Sequence, residues 1–226
     1  MVKIGCCGFP VGKEKYYKIF KVVEIQKTFY NLVSEKTLTK WRAEAPEEFE
    51  FTLKASQLIS HPESSPTYRR SRGEYTNAGY FRDSSSVWEG WKSTKLAAKI
   101  LKVKFIVFQT PPSFLGTEEN IRNLENFFQK IDREDLNLGW EERGEWDPIL
   151  LKKLKSVLNL VDVVDPFNRV PFNEDFVYFR LHGIGGYRYK FSNEDFQKIK
   201  RFKRSNGYIM FNNINMLNDA KRFLDM

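Results

Sequence analysis

The chain has only two cysteines and two histidines in 226 residues. The cysteines, Cys6 and Cys7, are neighbours. Adjacent cysteines do not reach sound disulfide geometry, so a disulfide framework and zinc-finger spacing are both excluded. They read as two small residues filling a strand and its end, the lesser alternative being a reactive thiol at Cys7. Two histidines with no HExxH-like spacing leave little material for a dedicated zinc site. No apolar run is long enough for a membrane span, and the N-terminus lacks a signal-peptide pattern. A cytoplasmic protein with no membrane partner is expected. Nicotinamide and flavin fingerprints are missing, as are internal repeats and low-complexity linkers. The run Gly183-Ile184-Gly185-Gly186 matches no phosphate-loop motif and reads as a flexible turn.

Hydrophobic residues make up 41% of the chain, enough at this length to bury one large core. A single domain over 1–226 follows. The formal net charge of +8 favours polyanionic partners through counterion release. Basic runs occur at Tyr68-Arg69-Arg70-Ser71-Arg72 and at Lys198-Ile199-Lys200-Arg201-Phe202-Lys203-Arg204. In the second, Ile199 and Phe202 turn inward at helical spacing. The plainer reading of both runs is a solvated Lys/Glu-rich surface.

Short β-rich runs alternate with helical ones. Strands are predicted at 2–6, 22–26, 49–54, 103–109, 136–142, 160–164, 176–182 and 207–212. Helices are predicted at 35–45, 86–101, 118–131, 147–157, 192–204 and 214–224. Ser34, Thr117 and Ser192 mark helix starts. The first and sixth connections read as helix-poor. Eight strands interleaved with helices imply an α/β fold with a parallel sheet closed as a (β/α)8 TIM-type barrel, with a doubly wound open sheet as the rival. The long loop at about 60–85, with two prolines, two glycines and the Arg69–Arg72 cluster, reads as a functional lid or a mobile insertion.

The strands carry a second pattern. In 176–183, Val177, Phe179 and Leu181 face one way and Tyr178, Arg180 and His182 the other. The same alternation leaves Glu24 and Gln26, then Glu50, Thr52 and Lys54, then Glu141 and Arg143, on the polar side, while Gln109, Asn212 and Asn213 close their strands. Charges late in barrel strands lie where barrel sites form; the bland alternative is an ion network that satisfies only itself. Glu24 or Glu141 suits a general base and His182 an acid or proton shuttle. Arg143 and Arg180 offer forks for a carboxylate or phosphate, and Lys54 an oxyanion partner or nucleophile. A metal would draw on Glu24, Glu141, Asp165 and His182, with magnesium or manganese ahead of zinc. No cofactor is fixed by the sequence.

The motifs are also familiar in their order and spacing. They are Ile4-Gly5-Cys6-Cys7-Gly8-Phe9, Val23-Glu24-Ile25-Gln26-Lys27-Thr28-Phe29-Tyr30, Phe51-Thr52-Leu53-Lys54, Gln109-Thr110-Pro111-Pro112-Ser113-Phe114, Glu141-Glu142-Arg143, Arg180-Leu181-His182-Gly183, Tyr187-Arg188-Tyr189 and Phe211-Asn212-Asn213. Along nearly its whole length the chain resembles the YecE-like family, domain of unknown function seventy-two. The resemblance implies a TIM-type barrel and no assigned reaction. The polar positions shared with the family pattern are Glu24, Thr28, Tyr30, Lys54, His61, Gln109, Glu141, Arg143, Asp165, Arg180, His182, Tyr187, Tyr189, Asn212 and Asn213. The chain departs from it at Gln26, where the family usually has Asn, and at Gly144, where a His commonly follows the arginine. The segment to Trp146 is also one residue short.

Two functions compete. The first is an enzyme, a hydrolase or lyase, using acid–base chemistry on a small phosphate- or carboxylate-bearing ligand. Its catalytic groups would be Glu24, Lys54, Glu141, Arg143, Arg180 and His182, the other shared polar positions and Gln26 binding substrate. The second is a nucleic-acid binder, with or without divalent-metal-dependent cleavage, working through the arginines and tyrosines of the 60–85 loop. A glycosidase-like pair of carboxylates is disfavoured by the arginine and lysine beside them.

Overall fold

The computed structural model of the chain describes residues 1–71, 73, 75–172, 175–202 and 206–226. In chain order the elements are β1 (Val2–Cys7), α1 (Lys13–Ile19), β2 (Val22–Ile25), α2 (Lys27–Tyr30), α3 (Glu35–Glu44), β3 (Glu50–Lys54), α4 (Gln57–Ser60), α5 (Ser85–Leu101), β4 (Phe105–Gln109), α6 (Glu118–Lys130), β5 (Asn137–Glu141), α7 (Pro148–Val157), β6 (Val161–Val164), β7 (Phe176–Leu181), α8 (Asn193–Arg201), β8 (Asn206–Phe211) and α9 (Met216–Leu224), with a 3-10 turn at Pro66–Arg70. Among the described residues, eight strands run from β1 to β8 in sequence order around a closed barrel. This is a (β/α)8 TIM-type fold, and closure removes the doubly wound open sheet.

Each strand lies within two residues of its predicted span. The helix starts hold too: the Thr117 side chain accepts from the Asn120 amide and caps α6. Ser192 and Asp195 form a reciprocal capping box on α8. Lys203 and Arg204, at the end of the second basic run, lie outside the described residues. One expectation fails. The first connection is not helix-poor but carries α1, whose Tyr16 and Tyr17 are buried. Tyr17 meets Phe49 at 4.6 Å and Tyr16 meets Phe9 at 5.1 Å between ring centroids. These aromatics sit in a lysine-rich run too short to show a helical stripe. The sixth connection has no helix among its described residues.

The last part of the 60–85 segment is packed against α4. The Gly79 and Phe81 amides donate to the Leu58 and Ile59 carbonyls at 2.8 Å, and Ala78 and Phe81 are buried. Ala78–Phe81 is thus packed scaffold. Arg72, the last arginine of the first basic run, lies outside the described residues.

The chain forms two compact units, each discontinuous in sequence. The first comprises Met1–Glu24, Ala45–Phe51 and Val161–Met226. In it β1 pairs with β2, setting Cys7 opposite Glu24, and with β8. β7 also pairs with β8, setting Leu181 opposite Phe211. Its core includes Phe191, Phe196, Phe211 and Phe223, whose rings meet edge to face. The second unit comprises Ile25–Glu44 and Thr52–Leu160. There β4 pairs with β3, setting Val107 opposite Lys54, and with β5, setting Gln109 opposite Glu141. Its core gathers Phe81, Phe108, Phe127 and Phe128. Burying each such ring contributes about 1.5–3 kcal/mol.

Candidate active site

In the first unit, β7 presents Tyr178 and Arg180 on one face, as the alternation requires. Glu24 meets both. The Arg180 guanidinium donates Nε–H to Oε2 at 3.1 Å and Nη2–H to Oε1 at 2.8 Å, and the Tyr178 hydroxyl donates to Oε2 at 2.8 Å. All three side chains are fully enclosed. The fork-to-carboxylate geometry is what makes a buried charge pair tolerable. A second polar group lies on β1, β3 and β8, where Lys3 pairs with Glu50 and the Tyr208 hydroxyl donates to Glu50. The Tyr178 and Tyr208 rings touch at 5.2 Å and join the two groups. Burial, then the Glu50 carboxylate, raises the Tyr208 phenol above its ordinary range.

Both cysteines are buried. Burial, reinforced by the Glu24 carboxylate, holds the Cys7 thiol well above its ordinary pKa although Arg180 opposes this. The Cys6 thiol is pushed up to about 12 by burial, against a hydrogen bond from Tyr16. Thiolate is the reactive form, so the reading of Cys7 as a reactive thiol gives way to that of a space-filling residue.

His182 follows directly on β7. Its backbone amide donates to Asp165 Oδ2 at 2.9 Å, while Asp165 Oδ1 accepts from the Phe167 amide at 3.1 Å. Asn212, brought alongside by its own amide bond to the Leu181 carbonyl, sets its carboxamide nitrogen 3.1 Å from His182 Nδ1. Nδ1 is therefore the acceptor, and the ring proton of the neutral imidazole sits on Nε2. Tyr187, more than half exposed, meets the imidazole edge-on at 5.9 Å.

Two expected binding residues are tied into loop anchoring. The Tyr189 hydroxyl donates to Asp195 Oδ2 at 2.6 Å, and this bond leads the causes that push the phenol up to about 12. The buried Asn213 donates to the Tyr189 carbonyl at 2.8 Å and to Asp219 Oδ2 at 2.7 Å.

In the second unit, Lys54 ends β3 with its ammonium 3.5 Å above the Phe29 ring, a cation–π contact at a buried site. The Thr28 hydroxyl donates to the Lys54 carbonyl at 3.0 Å. His61 packs edge-on against Phe29 and shares a 2.8 Å hydrogen bond between Nδ1 and Ser60 Oγ. Burial, then the charge of Lys54, lowers its pKa from 6.5 to about 3, so the imidazole is neutral at pH 7. Glu141 ends β5 and pairs with Arg143 at 3.0 Å, beside Gln109 in register. Gln26 stands at the N-cap of α2 without a side-chain capping bond. Tyr30 lies under the Arg70 guanidinium at 5.3 Å.

Gly144 explains one departure from the family pattern. A Cβ there would fall 2.5 Å from the Phe114 carbonyl oxygen and 2.9 Å from that of Pro112. The Trp146 indole donates to the same Phe114 carbonyl at 2.9 Å. The close approach leaves no room for a histidine.

The structure thus joins Glu24 to Arg180, His182 to Asp165, Asn212 and Tyr187, Glu141 to Arg143, and Lys54 to Thr28 and His61. Sequence reasoning passed over Tyr178 as a site residue, although it shares the polar face of β7. Among the described residues, no three His, Cys, Asp or Glu side chains are grouped as metal ligands would be. No helix of the described residues is long and apolar enough to cross a membrane.

No curated protein matches the sequence. A DUF72 family protein from Enterococcus faecalis is similar over 100% of this chain and 96% of its own, at 18% identity and a TM-score of 0.77. One from Thermotoga maritima is similar over 100% of this chain and 98% of its own, at 19% identity and a TM-score of 0.74. A xylose isomerase domain containing protein from Salmonella typhimurium is similar over 99% of this chain and 95% of its own, at 10% identity and a TM-score of 0.63. At these identities the likeness is one of fold. The sequence itself matches the model described as protein of unknown function DUF72 over residues 13–226, and the chain belongs to that family.

Proposed function

We propose that the protein is an enzyme that uses acid–base chemistry on the phosphate or carboxylate group of a small substrate, with His182 as the positioned hydrogen-bond donor to that group. The observation that carries this is the double fixing of His182: Asp165 holds its backbone and Asn212 holds Nδ1, leaving the proton on Nε2. A ring held this way is a positioned Nε2–H donor that polarises a phosphate or carboxylate oxygen. It stands just past the C-terminal end of its strand, where TIM-barrel enzymes carry their chemistry. Arg180, two residues earlier, is committed to Glu24 by both arms of its fork. Its part in the proposal is to hold β7 under His182, with Glu24 as its anchor rather than as a base. In the second unit, the Glu141–Arg143 pair and Lys54 offer a carboxylate acceptor, a guanidinium and an ammonium at strand ends. The carboxylate among them is tested by its own variant.

The test is a panel of phosphomonoesters, phosphodiesters and carboxylate esters, assayed with and without magnesium or manganese. The wild type is compared with His182→Gln, Asn212→Ala and Glu141→Gln. Turnover on one class, lost by about a hundredfold or more in His182→Gln and reduced in Asn212→Ala, is the expected result. Equal turnover by His182→Gln, or none on any class, overturns the reading.

A further inference from the structure

The second unit also carries a groove lined by residues other than those at the strand ends just described. It has a volume of about 440 Å³ and is lined by Lys27, Asn31, Leu32, Ser34, Thr37 and Tyr75 among others. One wall is the chain leaving α2 toward α3; the other is formed by Gly73 and Tyr75. The walls are tied together. The Asn31 carboxamide donates to the Arg70 carbonyl at 3.2 Å, and Arg70 Nη1–H donates to the Tyr30 hydroxyl at 3.4 Å. The Tyr68 hydroxyl donates to the His61 carbonyl at 3.0 Å, and its ring meets that of Tyr75 at 6.3 Å. A groove tied in this way needs little ordering when it binds.

Its lining has a definite chemistry. None of the described lining residues is acidic. Leu32 and Tyr75 offer apolar and aromatic surface, Leu32 being 42% exposed. Lys27 supplies an ammonium beside Trp41, and Arg70, tied to the lining Asn31 through its carbonyl, holds its guanidinium 5.3 Å from the Tyr30 ring centroid. Cations set among flat aromatic faces match a base joined to a phosphate, and single-stranded nucleic acid presents that unit repeatedly. The volume lies in the range of sites for one small ligand. The net charge of +8 adds attraction for a polyanion at longer range.

We infer that this groove holds one nucleotide of a single-stranded nucleic acid, the base against Tyr75 and Leu32 and the flanking phosphates on Lys27 and Arg70. Binding alone tests it, so it stands or falls apart from any turnover at His182. The measurement is fluorescence anisotropy of labelled uridine and thymidine oligomers of about 12 nucleotides, titrated with the full chain at about 50 and about 200 mM salt. Tyr75→Ala should weaken binding roughly tenfold and Tyr75→Phe should retain it, because stacking needs the ring and not the hydroxyl. Lys27→Gln should flatten the salt dependence by about 0.7 in log–log slope, the contribution of one single-strand phosphate. Three results would each overturn the inference. They are no binding at the lower salt, unchanged binding by Tyr75→Ala, and displacement by inorganic polyphosphate or a mononucleotide as effective as that by unlabelled oligomer.

Discussion

His61 shows what burial does to a titratable group that has no opposite charge to pair with. Its imidazole is enclosed beside the Lys54 ammonium, and its pKa falls to about 3. Below pH 6.5 the unfolded chain therefore takes up a proton that the folded chain refuses. The stability His61 contributes is full above 6.5 and drains as pH falls toward the folded value. Between pH 6.5 and about pH 5 the loss should come to roughly 2 kcal/mol. Urea midpoints measured across that window should slope steeply in the wild type and clearly less in His61→Asn, which keeps an acceptor near Ser60 Oγ; equal slopes would assign the pH dependence elsewhere. Glu24 and Arg180 resolve the same difficulty by pairing. A buried pair of this kind adds little net stability, since desolvation offsets attraction. What it secures is a tie between β7 and β2, two strands that are not hydrogen-bonded neighbours.

The loop that follows His182 depends on one residue for its course. Gly183 has φ +96°, and a Cβ there would lie 2.5 Å from the Gly186 carbonyl oxygen and 2.8 Å from Tyr189 Cβ. Gly183→Ala should cost about 1–3 kcal/mol in thermal or urea unfolding. It should also shift the His182 ring resonances in NMR; unchanged resonances would mean that the loop does not position the ring. The glycine run that reads as a loose turn in the sequence thus has one member with a strict steric duty. The strands were legible because Val177, Phe179 and Leu181, and their counterparts elsewhere, follow period two against polar neighbours. The helix at Lys13–Ile19 was not, because its buried positions are tyrosines within a lysine-rich run of two turns. The polar face of β7 could be read, but the partner of each group could not. Closure of the barrel sets Glu24 on Arg180 from a strand that is not its neighbour, and a loop bond sets Asn212 on His182. Alternation within one strand carries no information about either.

Pairing between the two ends of the chain has a temporal consequence. β1 draws its partners from β2 and from β8, about two hundred residues further on, and the N-terminal amine donates to Asn206 Oδ1 at 2.6 Å. By contrast, β4 and β5 find each other within some thirty residues. Closing the longer loop forfeits more chain entropy before any bond repays it, so contacts of this separation form late. In refolding followed by pulsed hydrogen exchange, the amides of Ile106–Phe108 should become protected ahead of those of Lys3–Gly5; simultaneous protection would contradict this order. On the ribosome the asymmetry is sharper. The barrel's first strand waits for its last, and through nearly the whole of the barrel's synthesis one of its edges stays unsatisfied, open to any other strand that reaches it first.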